Sequence, residues 1–94
     1  MKFPHVESET KGHFEYKVDG VLLGEISYSR VGKELIIIDH TFVDPSLRGT
    51  GKGKELVTEV VEYARTKSLK VLPLCPFANA IIKREPAFHD VLSN

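Results

Sequence analysis

Apolar and polar side chains alternate between residues 13 and 18, with Phe14, Tyr16 and Val18 in one set and His13, Glu15 and Lys17 in the other. A period of two marks a strand with one covered face. Asp19-Gly20 follows and is a strong two-residue hairpin signal between such runs. Residues 21–29 supply the partner strand, rich in branched and aromatic side chains, and Val31-Gly32-Lys33 marks the next turn. The most apolar stretch is Leu35–Val43, which begins Leu35-Ile36-Ile37-Ile38. A continuous run of that kind predicts burial on both faces and a central place in the sheet.

The period then changes. Leu56, Val57, Val60, Val61 and Ala64 recur at helical spacing and predict a helix over residues 51–67. Lys52, Glu55, Glu59, Glu62 and Lys67 fall largely on its other side and predict a solvated face. Residues 70–74 predict a short strand, irregular or near an edge because Pro73 removes a ladder donor. Residues 77–84 predict a short helix with Pro76 near its first turn, Pro86 stops it, and residues 87–92 predict one more turn. Phe77 and Phe88 read as core. A strand, a helix and a strand in that order predict a parallel pair joined by a right-handed crossover. The fold class is α/β (α+β): a mixed, mostly antiparallel sheet with a βαβ crossover and one long helix, in a single domain over residues 1–94.

Composition narrows the partners. Thirteen basic residues balance thirteen acidic ones, so the basic excess through which nucleic-acid binders gain affinity is absent. Cys75 is the only cysteine, which excludes an intramolecular disulfide and fits a reducing compartment. The aliphatic run at residues 35–38 is far short of a membrane span, and acidic and polar residues follow Met1-Lys2-Phe3-Pro4 where a secretory apolar segment would lie. The expectation is a cytoplasmic protein with neither a nucleic-acid nor a membrane partner. No Cys-x-x-Cys and no paired histidines occur at ligand spacing, so no metal is expected.

Gly49, Gly51 and Gly53 crowd the entrance to the predicted helix. A glycine inside a helix costs about 1 kcal/mol relative to alanine, so the choice needs a reason. Main-chain N–H groups at a helix start have no internal partner and sit at the positive end of its dipole. Stripped of Cβ atoms they form an anion cradle. The residues do not supply a Walker A loop, because the Ser/Thr and the first glycine are missing, and the Rossmann glycine spacing also fails.

Arg48, Gly51 and Gly53 fill an Arg-x-x-Gly-x-Gly pattern, preceded by Val43-x-Pro45 and followed by an amphipathic helix. This resembles the acetyl-coenzyme A signature of the GNAT-type N-acetyltransferases. Asp39-His40-Thr41, Cys75-Pro76-Phe77 and the segment from Glu85 to Leu92 are similar to the very small YjdJ-like branch of that superfamily. The resemblance implies a minimal GNAT fold that binds acetyl-CoA and moves its acetyl group to an amine. It implies that the loop amides of Arg48, Gly49, Thr50, Gly51, Lys52 and Gly53 grip the diphosphate. It further implies that the backbone at Phe42 and Val43 pairs with the pantetheine arm, with Asn79 beside it. One of Lys52 and Lys54 helps to neutralise phosphate. The branch lacks the helices that shape an acceptor pocket and the C-terminal tyrosine that serves larger relatives as an acid. The acceptor amine therefore stays open, as a small molecule or a protein, and a non-catalytic CoA sensor or adaptor is the alternative.

Two residues are candidates for the chemistry. Cys75 is either a small buried hydrophobe or a thiolate at the thioester that accepts the acetyl group. His40 is either structural or a base, since an imidazole takes protons near neutrality. Plain strand alternation places His40 on the face opposite Asp39 and Thr41. Asp39 is a candidate to orient a partner or to bind the acceptor amine.

Overall fold

The computed structural model describes residues 3–93. Five strands, β1 (His5–Glu7), β2 (Lys11–Val18), β3 (Val21–Val31), β4 (Leu35–Val43) and β5 (Lys70–Pro73), form one sheet in the order β1-β2-β3-β4-β5. The first four pair antiparallel, and β4 pairs with β5 in parallel. Helix α1 (Lys52–Lys67) makes the crossover between them, and α2 (Pro76–Arg84) follows β5. Single 3₁₀ turns stand at Pro45–Leu47 and Pro86–Phe88. The mixed sheet, the crossover and the long helix agree with the α+β class read from the pattern. Among the described residues no helix is long and apolar enough to cross a membrane.

The core is one layer deep. Phe14, Ile26, Ile36 and Ile38 on the sheet meet Leu56, Val57, Val60, Val61 and Ala64 on α1, all 0 % exposed. Ala78 and Ile82 of α2 join the same core. Burying an aliphatic side chain of this size contributes about 1.5–3 kcal/mol. Burial of β4 on both faces is not observed. Ile36 and Ile38 are buried, Leu35 and Ile37 are only half-covered, and Asp39, His40 and Phe42 are exposed. Both helices feed one core, and no described element covers the other face.

Three local features complete the fold. Strand β1 carries no legible period in its three residues, and pairs with β2 through His5 opposite Phe14. The His5 ring packs 4.8 Å from Tyr63 and its Nε2 hydrogen-bonds Tyr28 OH at 2.7 Å, while Tyr63 OH donates to Glu7 Oε2 at 2.7 Å. This cluster extends the covered stripe of α1, so Glu59, expected on the solvated side, is buried. Finally, the turn expected after Pro86 is a 3₁₀ turn at Pro86–Phe88 that continues through Val91 N to Phe88 O at 3.4 Å and Leu92 N to His89 O at 3.3 Å, and Leu92 then bridges Val71 in parallel. Val71 N donates to Val91 O at 2.7 Å and Ser93 N to Val71 O at 2.8 Å, which covers the outer edge of β5.

Arg65 ties that segment down. Its Nε and Nη2 donate to the two oxygens of Asp90 at 2.9 and 2.7 Å, and it also reaches Ala87 O and Glu62. Hydrogen bonding from Arg65 holds the Asp90 carboxyl below its ordinary value of 3.8. A depressed carboxyl stabilises the fold above the ordinary value and loses that contribution as pH falls through the folded-state value. Asp90→Asn is expected to lower the urea midpoint at about pH 7 and to match wild type at about pH 2, where the native carboxyl is protonated too. Urea titrations at the two pH values check this.

Candidate functional site

Pairing between β4 and β5 ends at Ile38 opposite Pro73. Leu74 N and Cys75 N both converge on Ile38 O at 3.2 Å, and beyond that point the two strands part. Residues 39–43 keep β3 on one side and face a gap on the other. Asp44 N donates to Leu23 O at 2.8 Å, which sets the phase of the β3–β4 ladder. Antiparallel pairs alternate, so Phe42 turns its main-chain groups to β3, whereas Thr41 and Val43 turn theirs into the gap. The backbone that faces the opening is therefore that of Thr41 and Val43; of the two expected positions, Val43 points into it and Phe42 does not.

A bulge decides which side chains meet. Ser27 lies opposite His40 and Tyr28 opposite Ile38, leaving Asp39 as the extra residue of β4. Beyond it Thr41 and Val43, opposite Ile26 and Gly24, stand on the helix side. Asp39 and His40 both fall on the open side, where Ser29 Oγ donates to Asp39 Oδ2 at 2.6 Å. Alternation alone had separated Asp39 from His40; the inserted residue unites them.

The loop after β4 is held by its own side chains. Asp44 Oδ2 accepts from Ser46 N at 3.0 Å and Ser46 Oγ at 2.6 Å, and these bonds lower the Asp44 carboxyl pKa. Thr50 Oγ1 donates to Leu47 O at 2.6 Å. Gly49 and Gly51 have φ of 78° and 81°, the left-handed region that side chains rarely adopt. Gly51 has no side chain with which to cap α1, and the Lys52 amide donates to Thr50 Oγ1 at 3.4 Å. The amides of Gly49, Gly51, Gly53 and Lys54 have no acceptor among the described residues, whereas Arg48 N and Thr50 N are bonded to Pro45 O and Leu47 O. Four free donors at the positive end of a sixteen-residue helix face a cavity of about 450 Å³ lined by Thr41, Val43, Arg48, Gly51, Gly53 and Phe77. The Arg48 guanidinium is exposed and has no partner among the described residues. Lys52 is already engaged: its Nζ lies 3.2 Å from Glu55 Oε2 and 4.7 Å over the Tyr16 ring. Among the described residues that leaves Lys54 as the free ammonium beside the cavity.

Gly53 has a further reason to be glycine. A Cβ there would lie 2.3 Å from Phe77 Cζ, so the ring rests directly on the helix backbone. Phe77 is not a core residue, at 45 % exposed, and it forms one wall of the cavity. Sequence reasoning missed Phe77 and Thr41 as wall residues; the four-residue step from Gly49 to Gly53, ending where a ring can sit, is the only trace of the first.

Cys75 stands at the N-terminus of α2, with Pro76 at the first helical position. Its Sγ donates to Thr41 Oγ1 at 3.4 Å, on the helix side of the gap. Burial pushes the thiol pKa up, but hydrogen bonds from Thr41 and from the amides of Phe77 and Ala78 outweigh it, and the net shift is downward. Thr41→Val is expected to move the pH midpoint of Cys75 alkylation upward relative to wild type. Iodoacetamide labelling across pH, read by intact mass, measures it. Asn79 lies on the first turns of α2, where its amide donates to Cys75 O at 2.9 Å, and its side chain is half-buried outside the cavity wall. His40 and Cys75 are thus not neighbours on one face: the sheet lies between them, and the gap joins their two sides.

A sheet split between two parallel strands, with a helix start aiming bare amides across the split, defines a domain built to hold a long anionic ligand edge-on. The chain belongs to the GCN5-related N-acetyltransferase family, whose model matches residues 13–91. It is 35 % identical to a GCN5-like protein from Staphylococcus aureus solved by NMR, with a TM-score of 0.74, covering 100 % of this chain and 92 % of that one. The aminoglycoside N-acetyltransferase AAC(6')-Iy, crystallised with CoA, is 20 % identical with a TM-score of 0.61 over 94 % of this chain and 63 % of its own. A GNAT family acetyltransferase from Elizabethkingia anophelis with acetyl-CoA bound is 18 % identical with a TM-score of 0.60 over 68 % of this chain and 42 % of its own. The last two share the fold. No curated protein matches the chain in sequence.

Proposed function

We propose that the chain binds acetyl-CoA and transfers its acetyl group to an amine. The observation that carries the reading is the set of free amides at Gly49, Gly51, Gly53 and Lys54, placed beside main chain of β4 that has lost its strand partner. The amides and Arg48 would hold the diphosphate. Thr41 and Val43 would pair with the pantetheine amides, Phe77 would cover the arm, and Asn79 would act through the start of α2. We take residues 1–94 as one such domain, of the small YjdJ-like branch. The fit to nearly the whole of the S. aureus protein and the placement of Asp39-His40-Thr41 and Cys75-Pro76-Phe77 on the two lips of the gap support that assignment. The lone free thiol of Cys75 suits a reducing compartment, and we place the protein in the cytoplasm on that ground.

His40, on the open side, is placed to take the proton of an incoming amine. Cys75, on the helix side, is placed to carry the acetyl group in a two-step route, and its lowered thiol pKa favours that use. In either route the protein contributes orientation above all. The second reading is a CoA sensor; it is favoured by the bare open face, which offers no enclosed acceptor pocket. Calorimetry with acetyl-CoA, followed by thiol-release assays over a panel of amines, tests the proposal. Binding with release of CoA supports transfer, binding without release at any amine supports the sensor, and no binding at millimolar ligand removes both.

A further inference from the structure

No described element covers the sheet face away from α1, and its side chains fall into rows across the strands. Val6, His13, Ser27 and His40 share one row, and Glu15, Glu25 and Phe42 the next. Asp39, set free by the bulge, lies beside His40. Three features of this face point the same way. Glu15 and Glu25 stand directly opposite each other, an arrangement that destabilises a sheet unless positive charge offsets it. His13 and Lys17 approach Glu15 at 3.2 and 3.6 Å, whereas Glu25 makes no ion pair among the described residues. The carboxylates nearest His40 are therefore short of cations.

The second feature is shape. A trough of about 550 Å³ runs over the strands from Asp39 past Ser27 and Ser29 to His13 and Lys11. It is open along its outer side. Sites that hold small ligands bury about 70–90 % of the ligand surface, which an open trough does not do. An extended polypeptide needs no such enclosure, because contacts along its length hold it. The third feature is the pair of lips at the gap. Phe42 on β4 is 38 % exposed and Leu74 after β5 is 62 % exposed, giving apolar surface on either side of the opening. A long methylene stem lies well along such surface with its charged head beyond it.

We propose that this open face is the acceptor face, and that the acceptor is the ε-amine of a lysine in an extended protein segment laid across β1 to β4. Glu25 and Asp39 draw the ammonium to His40 at the gap. His40 takes one proton from the ammonium and passes it to water; the neutral nitrogen then forms a bond to the acetyl carbon as the carbon–sulfur bond breaks, and the second proton it sheds goes to the departing CoA thiolate. The inference rests on the acetyltransferase reading above.

The test uses the full chain and radiolabelled acetyl-CoA with three acceptors: an end-blocked nonapeptide with one central lysine, spermidine, and ethanolamine. The expected result is a kcat/KM for the peptide at least about tenfold above either small amine. Glu25→Gln with Asp39→Asn is expected to raise the peptide KM by about tenfold and to flatten its dependence on salt, with the acetyl-CoA Kd unchanged. The comparison of acceptors uses wild-type protein and does not depend on how the variant folds. A small amine preferred over the peptide, no transfer to any of the three, or a peptide KM that the double variant leaves in place would overturn the lysine proposal while acetyl-CoA binding still stands. Failure to bind acetyl-CoA would overturn both.

Discussion

Gly51→Glu is expected to weaken acetyl-CoA binding by at least about 100-fold, combining the loss of the amide cradle with a like charge set against the diphosphate. The site makes this a clean experiment. Nothing lies within 4 Å of a Cβ at Gly51, so the new side chain enters open space and displaces no core atom. Its φ of 81° costs a non-glycine residue about 1–2 kcal/mol, enough to shift a thermal midpoint of a domain this size by several degrees without unfolding it. Gly51→Ala carries the same strain and no charge. Calorimetry on the pair separates the two contributions: the alanine variant should retain measurable affinity and the glutamate variant none. Equal, wild-type-like binding by both would mean that the ligand does not use this loop.

The second large effect is expected at His40. Removing a general base slows catalysis by about 10²–10⁴-fold, and His40→Ala should fall in that range for acetyl transfer to an amine. Its acetyl-CoA affinity should match wild type, because the imidazole stands on the face opposite Thr41 and the cavity. Steady-state rates with calorimetry on the same preparation check both halves. Cys75→Ala settles the route. If the acetyl group passes through the thiol, intact-mass spectrometry shows an acetylated wild type and no acetylated variant, and turnover collapses. If transfer is direct, the variant turns over and only His40→Ala is slow.

The two halves of the site differ in how much of them the sequence discloses. The cradle was legible because glycines in a helix entrance conflict with propensity, and the conflict shows without coordinates. The β2–β3 hairpin, β4, α1 and the crossover were legible because each carries a period or turn long enough to read. The arrangement around His40 was not. One inserted residue at Asp39 reverses the phase of β4, and nothing in Ile38-Asp39-His40-Thr41 signals where a bulge falls. The bulge falls where β4 and β5 part, so the feature that most shapes the site is one that residue types do not encode locally. Burial of β4 on both faces failed for a related reason: an apolar run reports that a strand is internal, not that a second layer exists to cover it. Phe77 and Glu59 depend on tertiary neighbours, the first on bare backbone at Gly53 and the second on a three-residue strand with no period of its own.

The central claim is that unpartnered amides at the start of α1 and unpaired main chain at the end of β4 receive acetyl-CoA. Amide-resolved NMR titration with the ligand measures those groups one by one. The account predicts the largest shifts at Gly49, Gly51, Gly53 and Lys54, with a second set at Thr41 and Val43. Saturation by acetyl-CoA with these six amides unmoved, and the response elsewhere in the chain, would contradict it.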